Sequence, residues 1–248
     1  MTNIFIFGVH GKMGALTRRL AQAKRDVCVS GGFSTKRHSD AFTSIDQVSV
    51  PMDVIVDFSS PSATDYIVRL CQKNSCALLV ASTGHTPDQI ERIKFLSFKH
   101  PVMISPNLSI GVNLFFALTE FASRAFSHAD TCIIDYHHSQ KKDAPSGTAK
   151  ALAKAIENGK NNRQNRLNEE RMEREPQVAT LSMRGGTIVG KHDVIFACHG
   201  ETITLTHNAE SREIFADGAI EVATWLAKKS AGLYSVKDYI REALHVEL

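Results

Sequence analysis

Ile4-Phe5-Ile6-Phe7-Gly8-Val9-His10-Gly11-Lys12-Met13-Gly14-Ala15-Leu16-Thr17-Arg18-Arg19-Leu20 decides the fold. Four apolar residues run into a glycine, and two more glycines follow at a GxxGxxG spacing. Met13, Leu16 and Leu20 then recur at i, i+3 and i+7 with Arg18 and Arg19 between them, the period of an amphipathic helix, which the pattern ends near Lys24. In this strand, turn and helix the first glycine permits the tight turn, the second lets a pyrophosphate lie against backbone, and the third allows close helix–sheet packing. The helix start offers unpaired N–H groups to phosphate oxygens. A tight turn without a ligand also uses glycine, and GxGxxG is the commoner spacing. The flanking strand and helix favour a dinucleotide site.

Outward from this unit the same alternation continues. Val27 to Phe33 and Val54 to Phe58 read as strands. Ser60-Pro61 supplies an N-cap with proline at the first helical position, opening a helix to about Lys73. Ala77 to Ala81 is a further strand, Thr86-Pro87-Asp88-Gln89 a capping box ahead of Ile90, Ile93 and Leu96, and Val102 to Ser105 a last strand. This order predicts βαβ units around a parallel sheet. After the second strand, where a carboxylate would hold an adenine ribose, stands Gly32-Phe33-Ser34-Thr35-Lys36-Arg37. Two cations and no acid there favour NADPH over NADH, unless Lys36 and Arg37 are a solvated pair. Ser82-Thr83-Gly84 follows a strand and belongs at the carboxyl edge of the sheet, where such sheets bind ligands.

Past Gly111 the pattern changes to a long helix to about Phe126, a strand at Thr131 to Tyr136, a short helix, and strands at Val178 to Arg184, Asp193 to Cys198 and Glu201 to Thr206. Strands without helices between them predict an α+β domain. The expected division is a dinucleotide-binding domain over 1–107, completed by 217–248 through an amphipathic helix at Asp217 to about Lys229. A substrate-binding and oligomerisation domain covers 108–216. The polar run Asn158 to Pro176 reads as an exposed insertion.

Composition narrows the class. In 248 residues, 43% hydrophobic against 22% charged allows a real core, and 29 basic against 26 acidic residues leaves +3, too little to dictate a nucleic-acid partner. Cys28, Cys71, Cys76, Cys132 and Cys198 form an odd set without a CxxC pair, so a reducing cytoplasm is expected rather than a disulfide framework or zinc knuckle. The apolar opening meets Gly8 too soon for a signal sequence or membrane span, so no membrane association is expected.

A second cluster is His137-His138-Ser139-Gln140-Lys141-Lys142-Asp143-Ala144-Pro145-Ser146-Gly147-Thr148, running from a strand end into a helix. Adjacent strand residues point to opposite faces, so the two histidines do not readily chelate one metal, and none is expected. One imidazole can exchange a proton while the other makes a hydrogen bond. Lys141 is a compact cation, and Ser146-Gly147-Thr148 offers small residues and backbone N–H groups at a helix start, a set suited to a carboxylate. The plainer reading is a capped helix after a polar turn with surface histidines. Arg184-Gly185-Gly186-Thr187, with Gly190 and His192, reads as a hairpin connection in preference to a β-turn region beside a site, and His207 to Arg212 as a strand end or a source of polar contacts.

These motifs, with Val56-Asp57-Phe58-Ser59, Pro106-Asn107-Leu108-Ser109-Ile110-Gly111-Val112-Asn113 and above all Lys142-Asp143-Ala144-Pro145-Ser146-Gly147-Thr148-Ala149, resemble in kind and order the dihydrodipicolinate reductases. These are the 4-hydroxy-tetrahydrodipicolinate reductases of the diaminopimelate and lysine pathway. The resemblance spans nearly the whole chain and implies hydride transfer from NADPH, with NADH possible, to a cyclic dicarboxylate, in a homotetramer. It implies that His137 is the proton donor or acceptor and Lys141 a proton donor and electrostatic anchor. His138, Ser146, Gly147 and Thr148 would contact substrate. Cofactor contacts would be Gly8, Val9, His10, Gly11, Lys12 and Met13 at the phosphates, and Ser34, Thr35, Lys36 and Arg37 at the adenosine end. Ala81, Ser82 and Thr83 would lie near the ribose or nicotinamide, and Ser105, Pro106, Asn107 and Leu108 at the nicotinamide end. The chain departs from the family pattern at Ser34-Thr35, where relatives carry an acid and arginine, and at Ala81-Ser82-Thr83, commonly Gly-Thr-Thr. From the residues alone, another reductase of a small acidic substrate and a non-catalytic dinucleotide sensor stay open, although a sensor has no use for His137 and Lys141.

Overall fold

Ile4, Phe5, Ile6 and Phe7 are all fully buried, which requires a strand covered on both faces, and the computed structural model supplies the covering layers. It describes residues 1–36, 38–164 and 178–245. Arg37 of the predicted cofactor loop, and 165–177 of the predicted insertion, lie outside the described residues. In chain order come β1 (Thr2–Phe7), α1 (Lys12–Ala21), β2 (Val27–Phe33), β3 (Val54–Asp57), α2 (Thr64–Asn74), β4 (Ala77–Val80), α3 (Pro87–Phe95) and β5 (Pro101–Ile104). There follow α4 (Ile110–Ala125), β6 (Asp130–His137), α5 (Gly147–Gln164), β7 (Val178–Arg184), β8 (Gly190–Cys198) and β9 (Glu201–Ala209), and finally α6 (Glu213–Leu226), β10 (Gly232–Tyr234) and α7 (Val236–Ala243). One unit is Met1–Ile110 with the segment from Glu213 onward; the other is Gly111–Arg212.

The first unit is a Rossmann-like sheet in the order β2-β1-β3-β4-β5-β10, every neighbouring pair parallel. Alternate residues of one strand enter opposite cores. Ile4 and Ile6 pack with Val54, Val56 and Leu79 and with Ile220 and Ala223 of α6. Phe5 and Phe7 pack with Ile55 and Leu78 and with Ile67 and Leu70 of α2. The chain order reverses at β1 and β3, so the loops that leave their carboxyl ends diverge and open a crevice between them. The predicted Thr86 capping box is present: Gln89 N donates to Thr86 Oγ1 (3.3 Å) and Thr86 N to Gln89 Oε1 (3.0 Å). Ser60 is a correction. It opens a single 3-10 turn, Pro61–Ala63, and its hydroxyl pairs with Ser62 Oγ at 2.8 Å instead of capping, so the α-helix begins at Thr64. The strand β10 and helix α7 have no counterpart in the sequence reading: β10 has three residues, too few to show a period, whereas α7 stands behind a Ser235–Asp238 capping box that was a legible signal.

The second unit is a mixed sheet, β7-β6-β8-β9, with β6 parallel to β7 and antiparallel to β8. Two expectations are corrected here. The helix after β6 is not short: α5 has 18 residues and takes in Asn158 to Gln164 of the predicted insertion. Leu152, Ile156 and Gly159 hold the helical spacing through that polar run. A Cβ at Gly159 would stand 2.5 Å from Glu120 O of α4, and Lys160 is buried with Nζ donating to Ala129 O (3.3 Å). Composition was read there where spacing decided. Nor is Arg184 to Thr187 a hairpin connection. Since β7 and β8 flank β6 on opposite sides, that segment crosses over the end of β6. All five cysteines are free. Among the described residues no helix is long and apolar enough to cross a membrane.

Candidate active site

The glycine turn of the first unit has the geometry its spacing predicted. Gly8 has φ +75°, and a Cβ there would meet Phe58 O at 2.9 Å. A Cβ on Gly14 would stand 2.2 Å from Gly8 O, so only glycine lets α1 close onto the turn. Gly11 differs: it is the N-cap of α1, uses no side-chain cap, and a Cβ would approach only Gly8 O, at 3.1 Å. Open space above Gly11 and the uncapped first turn, with the N–H groups of Lys12 and Met13, form a cradle for a phosphate. A cleft of about 420 Å³ adjoins it, lined by Lys12, Met13, Ser59, Ala81, Ser82 and Thr83 among others.

Two serines of this lining, Ser59 and Ser82, are held by a residue to which the sequence reading gave no role. Asp57 ends β3 fully buried and accepts from Ser59 N (2.8 Å), Ser59 Oγ (2.5 Å) and Ser82 Oγ, tying β3 to β4. The Ser82 hydroxyl is therefore engaged, while Thr83 is exposed. Ser105 Oγ donates to Asn107 O (2.8 Å) and Asn107 Oδ1 accepts from Ser109 N (3.0 Å), so the turn after β5 is locked. Its Pro106 is exposed and Leu108 is buried in the core. At the end of β2, Ser34, Thr35 and Lys36 form a turn with Lys36 exposed. A carboxylate does reach this end of the sheet: Asp40 pairs with Arg18 Nη1 (2.5 Å) and His10 Nε2 (3.1 Å), and His10 stacks on His38. The Arg18 guanidinium holds the Asp40 carboxyl below the usual range.

In the second unit, strand alternation places the chemistry. Thr131 and Ile133 of β6 face the buried side, and so therefore do Asp135 and His137 at its end. Across the sheet Asp135 stands opposite His192 of β8, and His137 beside Arg184 of β7. Asp135 Oδ2 accepts from Ser146 N (3.0 Å), Ser182 Oγ (3.3 Å) and Arg184 Nη2 (3.1 Å). Asp135 Oδ1 lies 2.9 Å from His137 Nδ1 and 3.1 Å from His192 Nε2. Asp135, His137 and His192 thus place one donor atom each within 4.8 Å of one another. The reasoning from adjacent His137 and His138 did not consider that grouping, and Arg184 supplies its positive charge. A carboxylate inside the apolar run Cys132-Ile133-Ile134 was the available signal.

Burial alone would raise the Asp135 carboxyl, but the Ser146 N–H and Arg184 outweigh it and hold it at about 2. Burial pushes His137 down, with Asp135 opposing and Lys141 and Arg184 reinforcing, and pushes His192 down to about 4. Ser146 is the buried N-cap of α5: its Oγ accepts from Ala149 N (3.1 Å) and lies 3.2 Å from His192 Nε2. Gly147 and Thr148 begin the helix, where N–H groups have no intrahelical partner. Lys141 pairs with Asp143 at 2.9 Å, and Arg184 Nη2 donates to Asp143 O at 2.7 Å.

One consequence concerns stability. An unfolded imidazole titrates near 6.5, so as pH falls the unfolded chain takes up a proton before folded His192 does. The stability His192 contributes is whole above 6.5 and is lost as pH falls from there to about 4, on the order of 3 kcal/mol. Urea unfolding at pH 7.5 and 4.5 should show this loss reduced in His192→Gln; equal losses in both proteins would refute it.

Residues 2–108 match the family described as "Dihydrodipicolinate reductase, N-terminus" and residues 111–240 match "Dihydrodipicolinate reductase, C-terminus". The chain belongs to the dihydrodipicolinate reductase family. Curated relatives named 4-hydroxy-tetrahydrodipicolinate reductase include one from Alkaliphilus oremlandii, 37% identical over 243 residues, covering 96% of this chain and 98% of that protein. Another, from Aquifex aeolicus, is 36% identical over 262 residues, covering 96% and 98%. Among solved structures, a dipicolinate-bound dihydrodipicolinate reductase from Paenisporosarcina sp. TG-14 aligns over 95% of this chain and 97% of its own, with a TM-score of 0.78 at 23% identity. That likeness shows that the two share a fold.

Proposed function

We propose that this chain reduces 4-hydroxy-tetrahydrodipicolinate to tetrahydrodipicolinate with a hydride from a nicotinamide dinucleotide. One observation carries the reading beyond family membership. Two imidazoles, a lysine and a capped helix start gather at one end of the second unit's sheet, where a dicarboxylate needs a cation, an acid and N–H donors. Gly147 and Thr148 N–H groups, with the Thr148 hydroxyl, hold one substrate carboxylate. Lys141 offers charge to the developing negative ring system, and His138 contacts substrate. His137 transfers the proton through Nε2, which lies over Gly190 where a Cβ would come within 3.1 Å. Ser146, predicted as a substrate ligand, contributes by positioning, since its hydroxyl caps α5 and its N–H serves Asp135.

The glycine cradle, the cleft and the exposed Thr83 fit a dinucleotide, which supplies the hydride when bound. Lys12 and Met13 N–H groups take its phosphates, and Ser105, Pro106, Asn107 and Leu108 form a rigid turn at the nicotinamide end, Leu108 through its backbone. NADPH is preferred because Lys36 is exposed to meet a 2′-phosphate while Arg18 and His10 neutralise the nearby carboxylate of Asp40. The test is oxidation followed at 340 nm with NADPH and with NADH, on substrate generated in place from pyruvate and aspartate semialdehyde. Turnover with an NADPH preference, reduced about tenfold in Lys36→Ala, is expected. Absence of turnover with either cofactor in folded protein would sink the reading.

The second unit is also the expected seat of a homotetramer. The sheet face away from its helices exposes Leu181 (59%) and Met183 (52%) on the edge strand β7, beside half-buried Ile134. An apolar face on an edge strand invites a second copy. Leu181→Asp with Met183→Asp should halve or quarter the mass seen by light scattering; an unchanged mass would place assembly elsewhere. Cofactor pools and free thiols fit a cytoplasmic enzyme.

A further inference from the structure

We propose that Asp135 is a positioning residue for proton transfer at His137, and that Arg184 anchors both this carboxylate and the loop carrying Lys141. The inference rests on the reading of His137 as the proton-transfer group.

Asp135 is a fully buried anion, and the groups around its carboxylate divide by oxygen. Oδ2 is filled by Ser146 N–H, Ser182 Oγ–H and Arg184 Nη2–H. Among the described residues Oδ1 faces the two imidazoles, at 2.9 Å from His137 Nδ1 and 3.1 Å from His192 Nε2. A carboxylate 2.9 Å from Nδ1 favours the proton on that nitrogen and leaves Nε2 as the atom that gains and loses one. It also favours the imidazolium form, against burial and two cations that oppose it.

The charged and titratable groups facing His137 are Asp135 on its own strand, Arg184 on β7, His192 on β8 and Lys141 on the following loop; His207 on β9 acts on His192. Asp135 is the sole anion of this set. Arg184 uses both terminal nitrogens twice: Nη1 donates to Asp135 O (3.1 Å) and Met183 O (2.9 Å), and Nη2 to Asp135 Oδ2 (3.1 Å) and Asp143 O (2.7 Å). It thereby joins β6, β7 and the segment whose Asp143 carboxylate holds Lys141, a planar four-bond clamp that a lysine ammonium cannot copy.

Two measurements test this. Histidine-¹⁵N NMR of the full-length protein, with the His137 signal assigned through His137→Asn, should show neutral His137 protonated at Nδ1. Its titration midpoint should fall by about one pH unit in Asp135→Asn. In steady-state assays the same variant should lose about 10²-fold in kcat with an unchanged KM for NADPH. The limb of its pH–rate profile that reports His137 should move down with the NMR midpoint. Arg184→Lys keeps the charge and loses the clamp. It should leave the midpoint within a few tenths of a unit while raising the substrate KM about tenfold, and it serves where Asp135→Asn does not fold. Neutral wild-type His137 protonated at Nε2, an unmoved midpoint in folded Asp135→Asn, or an Arg184→Lys enzyme with wild-type KM would overturn the proposal. The NMR readout needs no substrate, so loss of the functional reading through absent turnover is distinguishable from loss of this inference.

Discussion

Lys141→Ala is expected to lower kcat by about 10²- to 10⁴-fold while NADPH binding stays within about twofold. Lys141 is 22% exposed and, among the described residues, pairs with Asp143, which is 58% exposed, so the pair is weak and readily exchanged for a substrate carboxylate or a developing ring charge. Lys141 in turn holds the Asp143 carboxyl below its usual range. Hydride addition builds negative charge that a nearby ammonium stabilises more in the transition state than in the ground state, so the loss falls on kcat. Lys141→Arg divides its two roles. An arginine that restores most of kcat leaves charge as the requirement, whereas one as slow as alanine, with a displaced basic limb in the pH–rate profile, makes the ammonium a proton donor. Retention of more than a tenth of wild-type kcat in Lys141→Ala would remove it from the site.

Gly14→Ala is expected to destabilise the first unit by about 3 kcal/mol or more, and Gly11→Ala to leave stability within about 1 kcal/mol yet to weaken NADPH binding at least tenfold. The contrast comes from where each Cβ would go. At Gly14 it would meet Gly8 O at 2.2 Å and Val9 Cα at 2.8 Å, backbone atoms of a turn that Phe58 O already confines. At Gly11 it would meet little protein, only Gly8 O at 3.1 Å, and would stand in the space above the start of α1. Thermal melts and NADPH fluorescence titrations separate the two effects. A Gly14→Ala protein that melts like wild type, or a Gly11→Ala protein that binds like it, would refute the assignment of turn and cradle.

How far the site was legible follows the range of the forces involved. The turn at Gly8 to Gly14 and the capping box at Thr86 depend on groups within a few residues, and each stands in the structure as its spacing implied. The strand β10 has no legible signal because its three residues are too few to show a period and take their strand form from lateral pairing with β5. The tail of α5 was misread because a polar composition outweighed, on inspection, a helical spacing that the crossing at Gly159 enforces.

By itself the sequence determined the βαβ order from β1 to β5, the glycine turn at Gly8 to Gly14, and the run from His137 to Thr148 with its family. These are local patterns, and a repeated motif order leaves few topologies to choose among. Only the tertiary structure decided what stands around His137. Asp135, Arg184 and His192 come from three strands separated by up to 57 positions, and sheet register makes them neighbours. Likewise Asp57 became the tie between Ser59 and Ser82, and Asp40 returned to the end of β2 in the grip of Arg18. For Asp135 and Asp57 the physical reason is the same: a buried carboxylate must find donors, and which donors come within hydrogen-bond reach is fixed by strand pairing and not by distance along the chain.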